Sequence, residues 1–208
     1  ASDPRIRDDV VFLNAFGPYF DARDLLLQLA SRSRLYRGQS DPWEPDRLTM
    51  RVLANELIES VDDPRGQEVL SRLFLEGQNV PVADLEELPL EAQRVRQLLE
   101  GTTLEQAEQI YETLPAEFRA AMRNISPSVH VDGLKARLMI MHDRDDRLVP
   151  SVESRRLADA LEERGDFRYT EVLAFDHVRP GAGGGLWQLA KEGFKLYRHM
   201  YGIVREAA

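Results

Sequence analysis

The sequence predicts an α/β protein with about three parallel strands, flanking helices and one long helical insertion. Three observations carry this reading. Short apolar runs at residues 10–14, 138–141 and 169–175 have the length of strands buried on both faces, the last alternating more than the others. Between the first two, roughly residues 21–124, apolar residues recur at helical spacing and the breaks carry Pro or Gly. From residue 138 onward the order is strand, loop, helix, strand, which is a βαβ unit with a right-handed crossover. The division that follows is residues 1–20 for the first core strand and its loop, 21–125 for the helical insertion, and 126–208 for a C-terminal α/β segment.

The chain opens on ASDPRIRDDVVFLN and enters the first strand almost at once, so the expectation is that an N-terminal half precedes it. Within the insertion, helices are predicted over 22–35, 45–61, 66–75, 90–99, 104–114 and 116–122, separated by DPWEP, DDPRG, EGQNVP, EGTT and LP. Start signals have the right chemistry: Asp62 and Asp63 precede Pro64, and Thr102 or Thr103 precedes an acidic first turn. No fixed repeat period is present, which argues against a solenoid. A helix over 152–163 follows the second strand, opened by Ser151 and closed by Gly165. The closing helix, 186–206, carries Trp187, Leu189, Phe194, Tyr197, Tyr201 and Val204 on one broad apolar face, a pattern that core packing explains better than a ligand. The glycines of 181–185 lack both a dinucleotide fingerprint and a P-loop lysine, so a connector is favoured over a phosphate cradle.

Composition narrows the function classes. With 208 residues, 43% of them hydrophobic, the chain can bury a real core. A net charge of -9 argues against a nucleic-acid surface, which needs clustered Lys and Arg. The absence of Cys removes disulfides and thiolate metal sites, and His130, His142, His177 and His199 are too scattered to suggest a zinc cluster. No apolar run approaches the roughly 20 residues of a membrane span. Neither a metal nor an organic cofactor is implied; compartment stays open, with the cytoplasm favoured.

The segment LMIMHDRDDRLVP, residues 138–150, places an apolar strand directly before an Asp-rich loop and a helix start. Parallel neighbouring strands lie about 4.8 Å apart, so the loop after this strand and the loop after the next share one sheet edge, where open α/β folds place their sites. Asp146 and His177 can therefore meet. A carboxylate accepting from one imidazole nitrogen fixes the tautomer and leaves the other nitrogen to take a proton from a hydroxyl nucleophile. On spacing alone, this reading stands level with a plain one in which Asp146 caps the helix and His177 ends a strand.

HDRDDRLVP resembles the H-G-x-x-D-x-x-V-P segment of the α/β-hydrolase superfamily, in particular its dienelactone-hydrolase-like and prolyl-oligopeptidase-like serine hydrolases. The resemblance makes Asp146 the triad acid, with Val149 and Pro150 setting the register, and FDHVRP is similar to the loop that carries the triad histidine, here His177. It covers residues 126 to about 202, with 10–17 as the strand after the nucleophile unit and the insertion as a helical cap; Asp143 replaces the usual Gly. A G-x-S-x-G nucleophile elbow is absent. Ser126, Ser128, Ser151 and Ser154 sit in loop or capping positions, and none is taken as the nucleophile.

The resemblance therefore implies the C-terminal part of a serine hydrolase acting on a small-molecule ester or peptide-like substrate through an acyl-enzyme, inactive alone. The alternative is a non-catalytic α/β-hydrolase-like binding module. A third reading is a small self-contained domain whose exposed sheet edge is managed by forming a homo-oligomer. His142 is expected to pack locally, Trp43 to anchor a loop, and Tyr19 and Phe20 to line a pocket under the cap.

Overall fold

A computed structural model describes residues 1–173 and 186–207. In chain order the elements are β1 (Phe12–Phe16), α1 (Ala22–Ser31), β2 (Ser33–Tyr36), β3 (Gln39–Pro42), α2 (Arg47–Glu59), α3 (Pro64–Phe74), α4 (Val82–Glu86) and α5 (Leu90–Glu100). They continue with α6 (Leu104–Tyr111), α7 (Ala116–Ile125), β4 (Arg137–Asp143), α8 (Ser151–Ala160), β5 (Phe167–Val172) and α9 (Leu186–Ala207). The fold is mixed α/β. The chain divides into two compact units, Ala1–Asp21 with Ser126–Ala208, and Ala22–Ile125.

The first unit is a three-stranded parallel sheet in the order β1-β4-β5. Its register aligns Asn14, Met139 and Arg168 across the strands, so alternate residues define two faces. On one face Leu138 and Ile140 pack with Leu157 and Leu161, joined by Leu13, Phe167 and Tyr169. This is the α8 face. The other belongs to α9, whose Gly202 sits against Met139 and Arg168 and whose His199 bonds Thr170 and Asn14. A side chain at Gly202 would meet the Met139 methyl at 3.0 Å and the Arg168 guanidinium at 2.7 Å, so the helix lies close on the sheet here and a larger residue would have to displace the ends of those two side chains.

The second unit is helical apart from one hairpin. Leu26, Leu27, Leu57, Leu70, Leu98 and Val95 form the centre of its core. Asp63 accepts from Gly66 N with Pro64 at the first helical position, and Thr103 caps α6 through Gln106 N, as the start signals suggest. The helix expected over 22–35 instead stops at Ser31. Arg32 turns left-handed at φ 52°, and the chain returns as the β2–β3 hairpin around Arg37 and Gly38, both at positive φ. Arg32 holds that stop by bonding the carbonyls of Leu29 and Leu99. Trp43 is buried in this unit's core.

Candidate functional site

All three strands of the sheet run parallel, so β1, β4 and β5 end at the same carboxyl edge. Asp146 lies there, in the loop that follows β4. After Asp143 the loop folds back so that Asp146 N reaches Asp143 O at 3.3 Å. Asp146 Oδ1 accepts from Leu148 N at 2.6 Å and Val149 N at 3.2 Å, an Asx-type turn that feeds the chain into α8. Its other oxygen, Oδ2, lies 3.4 Å from His142 Nε2. The carboxylate therefore both shapes the loop and faces the sheet edge.

Gly17, immediately after β1, adjoins it. It has φ 56°, its N–H closes onto Met141 O at 2.8 Å, and a Cβ there would stand 3.4 Å from Asp146 Oδ2. Glycine adopts this positive φ without strain, and the turn it makes sets the end of β1 against the acid. Burial by itself would raise the Asp146 carboxyl, but hydrogen bonds from His142 and from the Leu148 and Val149 amides outweigh it, so the group is held below the ordinary carboxylate value. Asp146 is an ionised acceptor at neutral pH.

His142 is fully buried and supports the acid from behind. Its Nε2 faces two groups that can only accept, Val149 O at 3.0 Å and the Asp146 carboxylate, which places the ring proton on Nε2. Nδ1 pairs with the Ser154 oxygen at 2.5 Å. Ser154, also fully buried, lies within 3.2 Å of Pro18 O as well. Despite the Ser, His and Asp identities, this chain of contacts is sealed from solvent at the hydroxyl end, and Ser154 ties the loop after β1 to α8. The expectation that Ser151 caps α8 is corrected: Pro150 holds the cap position, and the Ser151 hydroxyl bonds back to Arg144 O at 3.2 Å.

Two carboxylates that sequence reasoning did not single out hold the surrounding loops. Glu153, fully buried, accepts from Phe20 N and Asp21 N, both at 3.0 Å, and so pins the segment leaving β1. Glu171, near the end of β5, accepts from Arg144 Nε at 2.7 Å, from two Arg155 nitrogens at 2.8 and 2.9 Å, and from the Tyr169 hydroxyl at 2.7 Å. Burial opposes its charge, but the Arg155, Tyr169 and Arg144 hydrogen bonds pull its pKa to about 2. Arg144 is thereby clamped two residues before Asp146. Neither Glu carries a sequence signal beyond its position on a helix or strand.

The other candidates fall out as follows. His177 and the glycines of 181–185 lie outside the described residues. His199 is buried between α9 and the sheet; burial and nearby Arg168 lower its pKa, which keeps the imidazole neutral. His130 is exposed. Phe20 packs with the α8-face core, where a pocket-lining position was expected, while Tyr19 is partly buried and its hydroxyl pKa is raised by that burial. Among the described residues no group of three or more His, Asp or Glu could hold a metal ion, and no helix is long and apolar enough to cross a membrane.

Compared with models of known protein families, with curated proteins and with solved structures, the chain matches none.

Proposed function

We propose that this chain carries the acid-and-histidine limb of a serine hydrolase that cleaves esters or amides through an acyl-enzyme, with Asp146 as the acid and His177 as the base. In this reading the helical unit, residues 22–125, is the cap that shapes the substrate pocket, and the nucleophile comes from polypeptide outside these 208 residues. One observation carries it: an ionised, half-enclosed Asp146 stands at the carboxyl end of the central strand of a parallel sheet, beside Gly17. Its Oδ1 is committed to the loop amides, while Oδ2 lies 3.4 Å from His142 Nε2 and beside Gly17.

Reach is compatible with the pairing. β5 is the parallel neighbour of β4, and the last described residue on that side is Leu173, four residues before His177. Four residues span up to roughly 14 Å, against a strand separation of about 4.8 Å. A carboxylate accepting from His177 Nδ1 would hold the tautomer in which Nε2 takes the proton from an attacking hydroxyl, and would stabilise the imidazolium that results. The Glu171 clamp on Arg144 and the His142 contact serve that role by fixing the loop that presents the acid.

The test is hydrolysis of p-nitrophenyl butyrate by the 208-residue chain and by the translation product of its whole gene. The short chain is expected to be inactive. The gene product is expected to be active, and Asp146→Asn or His177→Ala to reduce kcat by on the order of 10³ to 10⁴. Activity of the short chain that disappears in His177→Ala would place the nucleophile within these residues. A gene product that encodes no G-x-S-x-G and hydrolyses nothing would leave the non-catalytic binding module as the better account.

A further inference from the structure

The helical unit, residues 22–125, is acidic: it holds 19 Asp and Glu against 12 Arg and no Lys. Several of those arginines are neutralised by a neighbour, Arg65 by Glu87, Arg96 by Glu100 and Arg119 by Glu112. Three others are not. Among the described residues Arg32, Arg47 and Arg51 meet no carboxylate, and all three line one cleft of about 610 Å³ between the start of α2 and the end of α3. That size lies within the range of small-molecule sites.

Helical spacing builds one wall. Arg47, Met50, Arg51 and Ala54 recur at i, i+3, i+4 and i+7, so they share the face of α2 that borders the cleft. Phe74, Leu75 and the buried Leu99 complete an apolar lining. Arg32 is fastened there by Leu29 O, by Leu99 O at 2.8 Å and by Met50 Sδ at 3.1 Å, so its charge is held by uncharged groups with no anion to offset it. Burial works against that charge and lowers its pKa. One carboxylate does reach the lining: Glu76, which accepts from Gln78 Nε2 at 2.6 Å on the turn that ends α3. Against three guanidinium groups it leaves the cleft positive.

Folding gains little from this arrangement. Arg47 is the first residue of α2, at the positive end of the helix dipole, where an anion is favoured and a cation is not. Arg51 follows four residues later, and like charges at i, i+4 repel. Both side chains are exposed, so core packing does not call for them.

We infer that this cleft binds a small carboxylate with an apolar tail. The head lies between the guanidinium groups of Arg47 and Arg51, whose planar forks suit the two oxygens of a carboxylate, and the tail lies along Met50, Phe74 and Leu75. A phosphate fits less well. A phosphate site at a helix start draws on free backbone amides, whereas here Asp46 occupies the cap and takes Leu48 N at 2.7 Å. From Arg47 to Ala54 the wall follows α2 for about 10 Å at 1.5 Å per residue, which is room for a tail of roughly eight carbons. The site lies wholly within the helical unit and does not rest on the hydrolase reading.

Isothermal titration of the 208-residue chain with sodium octanoate tests this. One molecule should bind with a Kd on the order of 0.1 mM, the ordinary efficiency for a ligand of about ten heavy atoms. Octan-1-ol keeps the tail and loses the charge, so it should bind at least about 10-fold more weakly. The double variant Arg47→Gln, Arg51→Gln should weaken octanoate by about 10-fold or more and keep the urea midpoint of the parent. Tyr197→Ser with Tyr201→Ser, on the exposed apolar face of α9, and Asp146→Asn, at the sheet edge, should each leave the affinity unchanged. The inference is overturned by the absence of saturable binding, by octanol binding as tightly as octanoate, or by octyl phosphate binding more than about 10-fold tighter than octanoate. Affinity that survives the arginine variant and is lost in the α9 or Asp146 variant overturns it too, because the ligand then sits elsewhere. The octanol comparison needs no variant, so an arginine variant that unfolds does not shield the inference. Octanoate bound as expected by a chain whose whole gene product hydrolyses nothing would uphold this site and sink the hydrolase reading.

Discussion

On one face of the three-stranded sheet, α8 sets Leu157 and Leu161 against Leu138 and Ile140; on the other, α9 sets Gly202 and His199 against Met139 and Thr170 and keeps its aromatic residues away from the strands. Both helices are amphipathic, but only α8 turns its apolar side to the sheet. The difference teaches that amphipathicity alone does not say where a helix buries itself. The sheet-facing stripe of α9 is chosen by close approach at Gly202 and by the buried His199 hydrogen bonds, which leaves its greasier arc exposed.

The largest effect that separates the two faces should come from the α8 core. Ile140 is fully buried at the centre of the sheet, so Ile140→Ala removes well-packed methyl groups and leaves a cavity, at a cost of about 3 kcal/mol. Urea unfolding of the 208-residue chain measures it. A loss below about 1 kcal/mol would mean that the α8 face is not the principal core of this unit.

A second, intermediate effect belongs to Glu171, which fastens α8 and the acid loop to β5. Its folded pKa of about 2 lies below the ordinary 4.5, so the stability it contributes is fully present above pH 4.5 and is lost as pH falls towards 2. Discounted for solvent screening, Glu171→Gln should cost ~2 kcal/mol at pH 7. The gap between variant and parent should narrow below pH 4.5 and close near pH 2. Denaturant titrations at pH 7, 4 and 2.5 check the sign. A gap that stays constant with pH would show that the carboxylate charge is not what holds Arg144 and Arg155.

Much of this frame was legible in the sequence because it depends on composition read along short windows. Short apolar runs, the third of them alternating, marked the three parallel strands, although β1 begins two residues later and β5 two earlier than the runs suggest. The Asp63-Pro64 and Thr103 signals located the starts of α3 and α6. The resemblance singled out Asp146, and its Oδ1 accepts from Leu148 N and Val149 N, a turn that the plain capping reading of this residue equally expects. What stayed hidden depends on contacts distant in sequence. The hairpin at β2 and β3 replaces a predicted helical tail because Arg32 can reach Leu99 O, 67 residues away. Glu153 and Glu171 looked like ordinary surface carboxylates, since nothing local reveals that Phe20 N lies above one and Arg144 beside the other. The direction taken by the apolar arc of α9 was equally invisible: its residues could be listed from spacing, but core packing was the natural reading of them.

The smallest effect is the most discriminating. If the arc of α9 packs on nothing within the 208-residue chain, then replacing a large aromatic residue there should be nearly free, although the same change in an ordinary core helix costs 3–5 kcal/mol. Tyr201 is 58% exposed and, among the described residues, stacks on Tyr197 with ring centroids 6.1 Å apart. Tyr201→Ser should shift stability by no more than about 0.5 kcal/mol, part of which is the lost stacking. A cost above ~2 kcal/mol in the isolated chain would mean that the arc is already buried in solution, and the contrast between the two faces of the sheet would then dissolve.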